Sequence, residues 1–398
     1  MQISSRGKTV IDQKIRISKV DADFLSVIFV GLLVSFVWMM PPFIDTDMGE
    51  KIVRLAIEFL VLIGASLYLF VKKSYQPFIF LIIVFVLYMM NWIVSAENIR
   101  HVLSHFCQIT LLFLLSEVLV LNYGLASFLK NVWIITWTYF SFLAILTFLG
   151  KVSGLLVFNY VGDSHTHHYY QHLFLGYFLM KEFSIGLTLP RYVGFLNEPI
   201  IYAFFAGFNM VAAKRLFLVR KNSRRFFVLN MIAGMLTFSY SFYLFLGVFF
   251  LFWGYLKRVP SKYIFMGGML VIVIFAYMGK YLYMSDSSLS VRVGRYYHFV
   301  EYIKNFGIEN VLFGVGMQRF VLDTNGAGTS ALINTLVGKG IFLFLVWAYL
   351  LHARSKYIPG LLAFIVYYSL VLDFYVYPLF VVGVAIVTSY SQIKPSDP

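Results

Sequence analysis

Residues 76–95 read QPFIFLIIVFVLYMMNWIVS, a run with no charged side chain that closely follows the basic pair Lys72–Lys73. About 20 apolar residues in a helix cover the roughly 30 Å of hydrocarbon in a bilayer. Similar runs recur along the chain, and basic clusters or polar segments separate them. The pattern predicts an all-α integral membrane protein, with a single polytopic domain over residues 1–398.

The composition excludes a soluble protein and a nucleic-acid-binding protein. Hydrophobic residues make up 60% of the chain and charged residues 13%, which is more apolar surface than a soluble domain can cover. The net charge of +14 is concentrated in segments between alternate apolar runs, and the rest of the chain is close to neutral. This distribution is the positive-inside bias of a membrane protein. The single cysteine, Cys107, excludes an intramolecular disulfide and is expected in the core.

The basic clusters place both termini on the cytoplasmic side. They are Arg6 to Lys19, Lys72–Lys73, Lys214 to Arg225, Lys257 to Lys262 and Arg354–Lys356. We predict about twelve spans, near 24–43, 53–71, 76–95, 102–122, 131–149, 199–216, 226–240, 242–256, 263–282, 331–351, 359–372 and 375–391. The stretch 226–256 has basic clusters at both ends, so we predict a hairpin that turns at 239–241. Two long segments, 150–198 and 283–330, then lie on the outer face.

The first outer segment ends in a motif that opens an apolar helix. It reads Arg191-Tyr-Val-Gly-Phe-Leu-Asn197-Glu198-Pro199. Proline suits the first helical turn, and Asn197 or Glu198 can cap it. The free N–H groups of such a helix end attract phosphate, and Arg191 can add a bidentate contact. The alternative is an interfacial arginine beside an ordinary helix cap.

The second outer segment carries two arginines at helical spacing. Arg292 and Arg295 project from one face of a short predicted helix, and Tyr302 lies close to the same line. Outside the membrane, where the chain otherwise places few basic residues, this pair is typical of an anion clamp. The alternative is an amphipathic helix anchored to lipid headgroups.

A histidine-rich stretch lies in the first outer segment. If it is helical, His168 and His172 share a face near Asp163, and zinc becomes conceivable. Neither a second carboxylate nor a cysteine has the usual spacing, so we expect a solvated aromatic loop without metal. The remaining histidines of the stretch are His165 and His167.

Three ionisable residues fall within or near predicted spans: Glu58, Glu117 and Lys339. Charged groups in hydrocarbon are costly, so we expect them to face the protein interior. Glu117 and Lys339 are candidates for a mutual ion pair, either as a structural contact or as part of a proton relay.

Taken in order, several motifs resemble those of the Wzy-type O-antigen and capsular polysaccharide polymerases, and more distantly the O-antigen ligases of the WaaL type. The resemblance covers roughly residues 185–350. The motifs are the Arg-x-x-Gly-Phe-x-x-Glu-Pro stretch from Arg191, the turn Thr237 to Ser241, the Arg292-x-x-Arg295 pair, Asn310-Val-Leu-Phe-Gly314-Val-Gly316 and Gly338-Lys-Gly340.

The resemblance implies a GT-C-like membrane glycosyltransferase without metal or other cofactor. It would lie in the bacterial cytoplasmic (inner) membrane with its active site facing the periplasm, using undecaprenyl-diphosphate-linked glycans as donor and acceptor. Arg191 would hold the diphosphate with Arg292 or Arg295, beside Asn197 and Tyr302. Chain length in this family usually depends on a regulator protein.

The general base is the least determined part of this expectation. Glu198 is the first candidate, because a carboxylate beside a phosphate-holding arginine can accept the proton of the acceptor hydroxyl. His298 and Asp323 are the others. The ligases carry a histidine before the helix that matches 331–351, whereas this chain has Gly328-Thr-Ser330 there, which favours a polymerase. The alternative functions are a ligase that transfers glycan to lipid A core and a flippase or transporter.

Overall fold

The computed structural model describes residues 48–155, 159–164, 167–171, 177–182, 188–194, 196, 199–217, 219–256, 258–282, 296–297, 299–304, 306–316, 319–320, 330–370 and 378–393. The first predicted span, 24–43, lies outside these residues, as do both chain termini. The side chain of Glu58 is also outside the described part.

Most of the described residues are helical. The helices are α1 Met48–Val71, α2 Gln76–Ser95, α3 Ile99–Leu121, α4 Tyr123–Ser153, α5 Pro199–Leu216, α6 Arg220–Met235, α7 Tyr240–Leu256, α8 Ser261–Leu282, α9 Ile308–Phe313, α10 Ala331–Ile333, α11 Lys339–Ser355, α12 Leu361–Ser369 and α13 Pro378–Ile393. A π-helical turn, Asn334–Gly338, joins α10 to α11.

Within the described residues, four helical stretches are long and apolar enough to cross a membrane: Gln76–Ser95, Val102–Leu121, Tyr123–Ser153 and Ala331–Ser355. Helix α2 shows why lipid must surround them. It buries a single stripe that includes Leu81, Val84 and Tyr88, whereas Ile79 and Ile82 are each 63% exposed. Apolar side chains exposed in this way indicate a membrane-embedded protein. The number of about twelve spans stays a prediction.

The all-α expectation is wrong for the segment 150–198, predicted to be outer, because it contains a small antiparallel sheet. Its strands follow each other in the order β1 Asn159–Ser164, β2 His167–Gln171, β3 Tyr177–Glu182 and β4 Thr188–Gly194. One row of aromatic residues crosses all four strands in register: Tyr160, Tyr170, Phe178 and Tyr192. Aromatic side chains favour strands through such cross-strand pairs, and hydropathy over a span-length window does not detect them.

The hairpin predicted in 226–256 is present as helices α6 and α7. The ring of Phe227 lies 5.7 Å from that of Phe249, and the Tyr243 hydroxyl donates to the Met235 carbonyl at 2.8 Å. Each contact joins residues at similar distances on either side of the turn. The two helices are therefore antiparallel. The turn covers Leu236–Ser239 rather than the predicted 239–241, and α6 begins at Arg220 rather than at 226.

Polar side chains join α4, α5 and α6 deep inside the bundle. The Trp133 indole donates to Asn209 Oδ1 at 2.8 Å, and Asn209 Nδ2 donates to Asn230 Oδ1 at 3.0 Å. The Asn230 amide donates to the Phe226 carbonyl at 2.9 Å, and the Ser141 hydroxyl also reaches Asn230 Oδ1 at 3.4 Å. In an apolar medium such bonds hold helices together because the alternative is an unsatisfied polar group.

Replacing Asn230 with alanine is expected to destabilise the protein by about 2 kcal/mol, since Asn209 then keeps a buried amide without its acceptor. Thermal unfolding in detergent measures the effect. The control is Asn222→Ala, because Asn222 lies exposed on the same helix. Equal melting temperatures for the two variants would show that the buried network contributes nothing to stability.

The expected pair between Glu117 and Lys339 does not form. Glu117 Oε1 instead lies 2.5 Å from Arg354 Nη2, and the guanidinium also lies over the Phe113 ring. Both partners are near the C-terminal ends of their helices, α3 and α11, whereas Lys339 begins α11. Helix length therefore separates Lys339 from Glu117. Cys107 is buried, as predicted.

Candidate functional site

The described motifs gather at one end of the helix bundle. The carboxyl end of α12 contacts the beginnings of α5, α7 and α10. The Tyr368 hydroxyl reaches the Ala203 carbonyl at 3.5 Å, the Tyr367 hydroxyl donates to the Ser241 carbonyl at 2.7 Å, and the Ser330 hydroxyl donates to the Ser369 carbonyl at 2.7 Å. We call this end of the helix bundle the motif end. The basic clusters 214–225 and 354–356 lie at the opposite, carboxyl-terminal ends of α5 and α11.

Arg191 lies in β4 and is fixed against the turn between α6 and α7. Its Nε atom donates to the Thr237 carbonyl at 3.0 Å, and the backbone N–H of Tyr192 donates to the Leu236 carbonyl at 3.0 Å. Two motifs 46 residues apart in sequence are thereby in direct contact. A guanidinium anchored through Nε has a defined orientation, which suits a planar, bidentate anion site.

The turn that receives Arg191 has an unusual backbone. Phe238 has a φ of +48°, in the left-handed region that bulky residues rarely adopt. Such conformations cost on the order of 1–3 kcal/mol and concentrate at functional sites. The Thr237 hydroxyl supports the turn by donating to the Gly234 carbonyl at 2.6 Å.

The glycine of the Arg191 motif is required by packing against α5. Gly194 has a φ of +70°, and a Cβ atom there would lie 2.9 Å from the Tyr202 ring. The ring of Tyr192 packs edge-on to the same tyrosine, at 5.0 Å between centroids. Strand β4 is therefore held beside the amino-terminal end of α5, which begins at Pro199.

Tyr192 is fully enclosed, and its hydroxyl has no hydrogen-bond partner among the described residues. Burial raises the pKa of this hydroxyl well above its usual value, and the nearby Tyr202 and Tyr139 add to the shift. The group therefore stays neutral at all physiological pH values. It can act only as a donor or as packing, not as a base.

The two glycine motifs interlock. The N–H groups of Val315 and Gly316 donate to the carbonyls of Val337 and Gly338, each at 3.0 Å. Gly314 and Gly340 have φ values of +84° and +79°. A Cβ atom on Gly314 would lie 2.5 Å from the Gly338 carbonyl oxygen, and one on Gly340 would lie 2.5 Å from the Gly314 nitrogen. Only glycine permits this approach.

The predicted helix 331–351 is consequently broken, and neighbouring groups satisfy its freed carbonyls. After the π-helical turn, Gly340 departs from helical geometry with φ 79° and ψ 172°. The side-chain amide of Asn91 on α2 donates to the Gly338 carbonyl at 3.0 Å and also to the Phe313 carbonyl. Irregular backbone is tolerated at membrane depth only where protein groups satisfy it in this way.

Two charged residues are buried beside the glycine motifs. Lys339 is 4% exposed, and its Nζ lies 5.7 Å from the centroid of the Trp347 ring. Glu97 is 8% exposed, and its Cβ would lie 3.2 Å from a Cβ on Gly316. Sequence analysis identified Lys339 but missed Glu97 and Asn91. An isolated asparagine in a span without charges was the available signal for Asn91.

The residues predicted for the site fall into two groups. The first group, Arg191 and Tyr302, belongs to the part of the chain that the structure describes. Tyr302 is half-buried, and its ring packs against Phe306 at 5.1 Å and Phe320 at 5.5 Å. The other predicted residues lie outside the described part of the chain: Asn197, Glu198, Arg292, Arg295, His298 and Asp323.

The helical arrangement considered for the histidine stretch is wrong. His167 and His168 belong to strand β2, where successive side chains point to opposite faces. His165 and His172 lie outside the described residues. Within the described part, no three His, Cys, Asp or Glu residues are grouped closely enough to hold a metal ion.

No protein-family model, curated protein or solved structure matches this chain.

Proposed function

We propose that this protein polymerises undecaprenyl-diphosphate-linked oligosaccharide repeat units by glycosyl transfer at the outer face of the bacterial cytoplasmic membrane. The observation that carries the proposal is the anchoring of Arg191 against the Thr237 carbonyl. It brings together two motifs of the polymerase resemblance, beside a helix amino terminus and at the end of the bundle opposite the basic clusters.

The proposed chemistry needs fixed positive charge at this position. The bond between the anomeric carbon and the diphosphate oxygen breaks, and an acceptor hydroxyl oxygen bonds to that carbon. The departing lipid diphosphate takes the electron pair and gains negative charge. Arg191 and the N–H groups at the start of α5 stabilise that charge without having to reorganise. Glu198 is proposed to accept the hydroxyl proton, with His298 and Asp323 as the alternatives.

The second arginine pair is proposed to complete the clamp. Arg295 directly precedes Tyr296, which is 3% exposed and whose hydroxyl donates to the Leu370 carbonyl. Leu370 follows the segment of α12 that contacts Ser241, four residues from Thr237. These contacts place Tyr296, the residue after Arg295, at the same end of the bundle as Arg191. Asn197 and Tyr302 are further proposed contacts to the substrate.

The test is a reaction with purified protein in detergent, run with the lipid-linked repeat unit alone and again with lipid A core added. A polymerase yields a ladder of products that differ by one repeat. A single transfer that requires lipid A core would instead indicate a ligase. Failure to form any glycosidic product with a folded, monodisperse protein would contradict enzymatic function and leave a flippase as the remaining candidate.

A further inference from the structure

The connection between α5 and α6 carries the densest positive charge among the described residues. Within twelve positions it holds six cations, which we call the connection cations: Lys214, Arg215, Arg220, Lys221, Arg224 and Arg225. All are exposed except the half-buried Arg215. No aspartate or glutamate occurs anywhere from residue 199 to residue 285. The chain itself therefore offers these cations no carboxylate nearby in sequence.

Within the described part of the chain, the connection cations also have no partner in the tertiary structure. Among the described residues, none of the six forms an ion pair, a side-chain hydrogen bond or a contact over an aromatic ring. The other basic clusters differ. Lys72 lies over the Tyr68 ring, Lys262 over the Tyr263 ring, and Arg354 pairs with Glu117. Membrane orientation alone explains why a basic cluster is present. It does not explain why the connection cations lack the partners that cations of the other clusters have.

The arrangement of four of these cations on α6 is electrostatically unfavourable. Arg220 and Arg224 are four residues apart on the helix, as are Lys221 and Arg225, so like charges face each other. All four occupy the first two turns, where the helix dipole is positive and favours anions. The first turn contains no acidic residue, and Val219 supplies no side-chain cap. An external anion would relieve all of these repulsions together.

Buried side chains pack beneath the helix ends that carry the connection cations. Phe217 packs against Phe226 at 5.3 Å between ring centroids, and Leu216 and Phe226 are 1% and 3% exposed. The buried face of α6 then continues through Asn230 and Ala233 into the bundle. The exposed cations lie on the other face, at the end of the two packed helices opposite the motif end. At the end of a bundle embedded in a bilayer, phospholipid headgroups are the abundant anions.

We propose that the α5–α6 connection is a binding surface for anionic phospholipid headgroups. A diphosphatidylglycerol or phosphatidylglycerol headgroup supplies phosphate oxygens to guanidinium groups and to the free N–H groups that begin α6. This inference is independent of the proposed glycosyltransferase activity. It requires only that the bundle is embedded in a bilayer.

Native mass spectrometry and thermal unfolding of the full-length protein in detergent test the proposal. With diphosphatidylglycerol added, the wild-type protein is expected to retain bound lipid and to unfold at a higher temperature than with phosphatidylcholine. Changing Arg220, Lys221, Arg224 and Arg225 together to glutamine should weaken retention by about tenfold or more, since each cation near an anionic surface contributes measurably. The control variant, Lys72→Gln with Lys356→Gln, should retain lipid as the wild type does.

A second variant separates lipid binding from folding. Arg220→Glu places an acidic residue at the helix start, four residues before Arg224, which favours the helix. We expect it to unfold at a higher temperature than wild type without lipid, yet to gain less from diphosphatidylglycerol. Equal lipid-induced gains in the wild type, the glutamine variant and Arg220→Glu would overturn the proposal. So would equal stabilisation of the wild type by inorganic pyrophosphate, because the site would then bind free phosphate.

Discussion

Changing Arg191 to glutamine is expected to lower polymer formation by about a hundredfold or more, with little change in thermal stability. Glutamine Nε2 occupies the position of arginine Nε, so the variant keeps a donor for the Thr237 carbonyl. It loses the positive charge and the fork that would hold the diphosphate. Removing one preorganised donor to a developing negative charge typically costs two to three orders of magnitude in turnover. The rate of ladder formation, measured beside a melting curve, tests this.

Arg191→Lys provides the matched comparison. Lysine keeps the charge but has a methylene group where arginine has Nε, so the anchor to Thr237 is lost. If Arg191 acts only as a structural anchor, the lysine variant fails and the glutamine variant works. If it binds the leaving group, the lysine variant keeps more activity than the glutamine variant. Wild-type products from Arg191→Gln would remove Arg191 from the catalytic role.

Changing Gly340 to alanine is expected to prevent accumulation of folded protein. A Cβ at this position meets the backbone of the 310–316 segment, and φ is +79°. Backbone atoms cannot yield as a flexible side chain can, so we expect a loss of about 3 kcal/mol or more. Gly314→Ala should have the same effect, because its Cβ would meet the Gly338 carbonyl. Monodispersity on size-exclusion chromatography and the melting temperature report the outcome.

Gly254→Ala is the control for both substitutions. Gly254 lies inside α7, and nothing lies within 4 Å of a Cβ built there. Alanine favours a helix over glycine by roughly 0.5–1 kcal/mol, so this variant should be neutral or slightly stabilised. Stable, monodisperse protein from Gly340→Ala would show that the two glycine motifs do not interlock as described.

Together these variants examine two separate junctions at the motif end. One joins Arg191 to the turn between α6 and α7, and the other joins the 310–316 segment to the break before α11. The Tyr367–Ser241 and Ser330–Ser369 contacts connect them through α12. Loss of the first junction should reduce turnover in a folded protein, whereas loss of the second should remove the fold.

What the sequence determined was local. The sequence alone predicted the apolar runs, the basic clusters and the two-helix hairpin in 226–256. Each of these depends on the composition of one window, because the free energy of transferring a side chain from water to lipid depends mainly on that side chain. The Arg191 motif and the burial of Cys107 also followed from local patterns. The antiparallel sheet β1–β4 could not be predicted in this way, because the aromatic row that stabilises its strands forms only after the four strands pair.

Tertiary structure alone decided which distant groups meet. Arg354, which resembled an orientation signal, pairs with Glu117, and a lone Asn91 satisfies the carbonyls of a helix broken at Gly340. Such pairings depend on how long each helix is and how closely two backbones approach. Neither quantity is encoded in the residues of one segment, since each is fixed only when several helices pack against one another.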